Sequence, residues 1–94
     1  MDTFNYNKWE ADRNNTALTD AQQYINDYNN GFRFITYRTN QTKQVIEYTL
    51  MKIFHILDCS GIFLDYKVFK RREKCIVELY LSEQPMTVNI IMPE

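Results

Sequence analysis

The chain has almost nothing that interrupts regular structure: two glycines, Gly31 and Gly61, and two prolines in 94 residues. So little punctuation excludes a linker-rich or disordered chain. It also excludes a glycine-rich phosphate loop, because each glycine follows an apolar-periodic segment and reads as a helix stop. Two cysteines, Cys59 and Cys75, are too few and too far apart for a disulfide framework or a zinc site. Both sit in apolar patterns and are expected as reduced core residues. The one histidine, His55, has no second histidine to share a metal with. Cys59, four residues on, stands one helical turn from it, but the residue pattern favours an exposed or half-packed histidine.

Other signals are missing too. No nucleophile-elbow pattern is present. Asp58 and Asp65 bracket a helix end and the strand after it, where capping and solvation account for them. No apolar run approaches the roughly 18 residues that a membrane span requires. Met1 to Trp9 contains no basic segment followed by an apolar one, so no signal peptide is expected. These absences predict a cytoplasmic protein that is not an enzyme, with no catalytic residues, no cofactor and no metal.

What is present is an ordinary globular composition with an unusual aromatic share. Hydrophobic residues make up 45% and charged residues 24%, and there are seven tyrosines and six phenylalanines. The length suits one domain, 1–94, with a modest core. Net charge is −1 but unevenly placed. Arg33 to Lys74 holds nine basic and four acidic residues, whereas the remainder holds two basic and eight acidic. If folding preserves that split, the surface is polarised and steers partners.

Along the chain, residues 1–15 show no helical period, and Phe4 and Tyr6 alternate with polar neighbours, which predicts an extended arm or short extra strand. Leu18, Ala21, Ile25 and Tyr28 recur at helical spacing, predicting a first helix from Thr16, its N-cap, to Asn30. Phe32 to Thr39 reads as a strand with apolar residues on both faces. A second helix is capped by Asn40 or Thr42 and runs to Asp58, with Ile46, Leu50, Ile53, Phe54 and Leu57 as its stripe. Three alternating segments follow, starting at Ile62, Cys75 and Met86, with connections short enough to demand an antiparallel meander. The order α-β-α-β-β-β predicts a two-layer α+β fold: a mainly antiparallel four-stranded sheet with both helices on one face.

Three groups of residues exceed what that core needs. Phe4, Tyr6 and Trp9 form an aromatic N-terminal group, and tryptophan and tyrosine are frequent binding hot spots. Tyr48, Met51 and His55 make a second stripe on the back of the second helix, where methionine and tyrosine suit an interface. Both groups also serve as packing if the arm folds back or the first helix covers the second. Lys67, Lys70, Arg71, Arg72 and Lys74 form a basic hairpin tip that can grip phosphates or an acidic protein, with Tyr66 and Phe69 near enough to stack on bases. Such tips are also commonly just solvated. The segment Met86 to Met92 is uncharged and, at a sheet edge, invites pairing with a second copy.

The expected function is a small protein-interaction module, an inhibitor or adaptor binding a protein partner, with a homodimer through the last strand also open. By class analogy alone, such compact proteins are common among phage and mobile-element accessory proteins, including anti-defence inhibitors. A nucleic-acid-binding module using the basic tip is the first alternative. A small-ligand-binding or sensor domain with an aromatic pocket is the second. No membrane partner is expected.

Overall fold

The computed structural model describes residues 5–84. It has two helices and a three-stranded antiparallel sheet: α1 (Tyr6–Asn29), β1 (Phe34–Thr39), α2 (Lys43–Cys59), β2 (Ile62–Arg71) and β3 (Lys74–Glu83). This is the α+β class expected from the patterning. The fourth strand expected over Met86 to Met92 lies outside the described residues, among which the sheet order is β1-β3-β2.

The first helix corrects the sequence expectation. It begins ten residues before Thr16, so from Tyr6 onward the extended arm is replaced by helix. The side chain of Asn5 caps it by accepting from the Lys8 backbone N–H at 3.0 Å. The face turned inward runs through Trp9, Glu10, Arg13, Thr16, Ala17, Asp20, Ala21 and Tyr24, all buried or half-buried. That spacing is helical, but four of its members are polar or charged, so the period is invisible to a hydrophobicity count. At the other end, Gly31 takes φ +97°. Its N–H donates to the Tyr28 carbonyl and the Phe32 N–H to the Asp27 carbonyl, the paired bonds that close a helix on a left-handed residue.

Helix α2 matches expectation closely. The Thr42 hydroxyl accepts from the Val45 N–H at 3.3 Å, and Gly61, at φ +79°, lies just beyond its end. Ile46, Leu50, Ile53 and Leu57 are buried along one stripe. Cys59 is its last residue and is exposed, contrary to the expected core position; the apolar stripe ends at Leu57, and the helix turns Cys59 away from it. Cys75 is buried as expected.

The register explains the sheet's two faces. Leu64 pairs with Leu81, Tyr66 with Leu79 and Val68 with Val77, while Ile35 and Tyr37 of β1 meet Leu79 and Val77 from the other side. These residues form the inner face: Leu64, Val68, Val77, Leu79 and Leu81 are buried, Ile35 and Tyr66 half-buried, and Tyr37 lies at its exposed margin. Helix α2 packs on β2, and Tyr24 of α1 reaches Tyr37 of β1, so both helices cover this one face. Burial pushes the Tyr24 phenol well up from its ordinary value.

Leu50 is 1% exposed and sits where the helices and sheet meet. Leu50→Ala is expected to cost about 2–5 kcal/mol, since the cavity left by a core leucine closes only in part. Urea unfolding followed by far-UV circular dichroism measures it, and a loss under about 1 kcal/mol contradicts this placement.

Candidate binding surfaces

The structure sorts the sequence-predicted residues into three places. Phe4 lies outside the described residues. Tyr6, Trp9 and Tyr48 come together where the start of α1 crosses α2. The Trp9 and Tyr48 rings stack with centroids 5.4 Å apart, and Tyr6 lies 6.0 Å from Trp9. Glu10 sits at the centre of this group. Its carboxylate accepts from the Tyr48 hydroxyl at 2.5 Å and from the Lys52 ammonium at 2.7 Å. The ammonium also lies 4.6 Å from the centre of the Tyr48 ring. Lys52 and then Tyr48 hold the Glu10 carboxyl below its ordinary value, and Glu10 in turn raises both Tyr48 and Lys52. The first helix therefore covers Tyr48. Tyr6 stays 55% exposed at the rim of this cluster.

Met51 and His55 stay exposed one and two turns further along α2. They line a shallow groove with Phe54 of the same helix and Phe63, Leu64, Asp65 and Tyr66 of the β2 edge. Phe54 meets His55 and Phe63 edge-on, at 5.7 Å and 5.8 Å. Among the described residues, no three of His, Cys, Asp and Glu lie close enough to hold a metal ion, and no helix is long and apolar enough to cross a membrane.

The outer face of the sheet is the third place. By register, Phe34, Tyr80 and Asp65 form one row across the strands; Thr36, Glu78 and Lys67 the next; Arg38, Ile76 and Phe69 a third; and Lys74 and Arg71 close the ladder. Phe34 is 48% exposed and Tyr80 38%, and their rings lie 5.0 Å apart. Phe32, just before β1, is 58% exposed. At the far end, Arg38, Arg71, Arg72, Glu73, Lys74 and Ile76 line an open recess. The basic tip thus gains Arg38, which sequence reasoning missed because it comes from a strand more than thirty residues away. Phe34 and Tyr80 were missed as a site too, although the two-sided apolar pattern of β1 was their signal. Glu10 and Lys52 carried no signal, since each is one ordinary charge on a helix.

The hairpin turn that presents these cations is strained. Arg72 has φ +59°, the only positive value outside glycine among the described residues. A left-handed residue with a Cβ costs roughly 1–2 kcal/mol.

Compared with protein-family models, with curated proteins and with solved structures, the chain matches none.

Two outcomes follow from this geometry. Because Glu10 is held below its ordinary value of 4.5, its contacts stabilise the fold fully above that pH and lose effect as pH falls through the lowered value. Glu10→Gln is therefore expected to lower the melting temperature at pH 7 and to converge with wild type in acid. A melting-temperature gap that stays constant down to pH 2 contradicts it. Arg72→Gly is expected to stabilise by about 1 kcal/mol, by relieving the positive φ; a drop in stability on chemical denaturation shows that the turn is not strained.

Proposed function

We propose that this chain is a small cytoplasmic protein-interaction module, without catalytic activity, that binds a protein partner as an inhibitor or adaptor. One observation carries the reading. Phe32, Phe34 and Tyr80 are exposed together at one end of the outer sheet face, and no described element lies over that face. The inner face already supplies the core, so these rings are not needed for folding. Large aromatic side chains lose little conformational entropy on binding and fill partner pockets well, which is why they recur as interface anchors. Exposed apolar surface of this kind rimmed by charge marks interaction sites.

The homodimer and the fourth strand at Met86 to Met92 belong to the same proposal. Light scattering on the eluted full chain decides between self-association and a separate partner. Affinity capture from the source organism's lysate, run in parallel with Phe34→Ala/Tyr80→Ala, gives the test. The expected result is a defined protein retained by wild type, or a dimer, that the double variant loses by at least about tenfold, while circular dichroism is unchanged. A strict monomer, with capture identical for both chains, counts against the reading.

A further inference from the structure

The basic end of the outer face is assembled from three parts of the fold. Arg38 comes from β1, Arg71 and Lys74 close the β2–β3 ladder, and Arg72 with Glu73 makes the turn. Lys70, exposed but paired with the buried Cys75, stands on the other side of β2 and is not part of the recess. Four cations thus line the recess with one carboxylate. Among the described residues, none of the four has a salt-bridge partner; the two ion pairs present use Lys8 and Lys52. Like charges held this close repel one another, and a ligand that brings several anionic groups at once relieves that repulsion.

The neighbouring residues select the kind of polyanion. Ile76 lies between Arg38 and Phe69 in one row of the register, so a ring that is 36% exposed shares the face with the guanidinium groups. A duplex keeps its base faces inside the stack and offers only groove edges. An acidic protein surface offers carboxylates, but a flat partner for Phe69 only where an aromatic or guanidinium side chain happens to lie beside them. An unpaired strand has both, a phosphate at every nucleotide and free base faces that stack on aromatic rings and guanidinium planes. The next row along the sheet places Lys67 opposite Glu78, and the Tyr80 hydroxyl donates to Glu78 at 3.3 Å, so that carboxylate is already engaged.

We propose that this end of the sheet binds single-stranded nucleic acid, with phosphates on Arg38, Arg71, Arg72 and Lys74 and a base stacked on Phe69. It is a surface separate from the Phe32–Phe34–Tyr80 end that carries the protein-partner reading.

Fluorescence anisotropy with labelled oligo-dT and oligo-U of about twelve nucleotides, titrated with the full chain at several salt concentrations, tests it. Four phosphate contacts predict a log–log salt slope of about −3 for a single strand. Arg71→Ala/Arg72→Ala should weaken binding at least tenfold and bring the slope to about −1.5. Phe69→Ala should weaken it roughly five- to hundredfold with the slope unchanged. Arg72→Gly controls for folding: it should raise the melting temperature and still weaken binding several-fold. Phe34→Ala/Tyr80→Ala should bind the oligonucleotide like wild type, so this proposal and the protein-partner reading fail separately. No binding at low salt overturns the proposal. So does tighter binding to a duplex of equal length, or equal binding of an acidic peptide with no effect of Phe69→Ala, which assigns the recess to an acidic protein instead.

Discussion

The fold depends on α2 having two sides occupied at once. Its stripe of Ile46, Leu50, Ile53 and Leu57 is buried almost completely, and it meets α1 along one flank and β2 along the other. Neither neighbour could hold alone. A single hairpin is marginal in water, and α1 turns Arg13, Thr16 and Asp20 toward the interior, so its own apolar face is narrow. The α2 stripe supplies the missing surface to both. Glu10 then fastens the far end of α1 to α2 through Tyr48 and Lys52, and Trp9 stacks over the join.

Covering one face of the sheet with both helices leaves the other face to be explained. In a half-covered antiparallel sheet the uncovered positions are ordinarily polar. Here they alternate between aromatic ends and a charged middle: Phe34 and Tyr80 at one end, Glu78 and Lys67 between, Phe69, Arg38 and Arg71 at the other. The net charge of −1 conceals this arrangement. Antiparallel pairing of β1 with β3 brings Arg38 to the end where the β2–β3 turn already concentrates cations, so local charge is set by register and not by composition.

That is also where legibility stopped. Helix α2 and the β2–β3 hairpin could be read within a residue or two, because their side chains repeat at periods of 3.6 and 2 and their ends carry Thr42, Gly61 and a charged turn. The first ten residues of α1 could not, because Glu10 and Arg13 occupy inward positions and the partners of Glu10, Tyr48 and Lys52, are some 40 residues away. Tyr48, Met51 and His55 looked like one stripe by spacing. Packing divides them: Tyr48 goes under α1, whereas Met51 and His55 remain at the β2 edge groove. The basic run was visible, but Arg38 was not, since strand order decides which distant residue lies beside a hairpin tip. The exposed Cys59 and the buried Cys75 could not be told apart by pattern, as each stands at one end of an apolar-periodic segment directly after a charged residue, Asp58 or Lys74.

The turn at Arg72 connects the stability of the fold to its surface. A two-residue connection between twisted antiparallel strands favours positive φ, and glycine or asparagine accepts that at low cost. An arginine there gives up roughly 1–2 kcal/mol, a noticeable fraction of the 5–15 kcal/mol typical of a domain's total stability. The hairpin tolerates it because the ladder behind the turn runs ten residues on each strand, from Ile62 opposite Glu83 to Arg71 opposite Lys74. Strain of this kind persists where surrounding structure over-determines the backbone. What the arginine adds is reach and a fixed positive charge at the one point where Arg38, Arg71 and Lys74 already converge. Glycine would serve the fold better at that position; under the proposed binding of a single strand, the larger side chain is accounted for by its contact with phosphate.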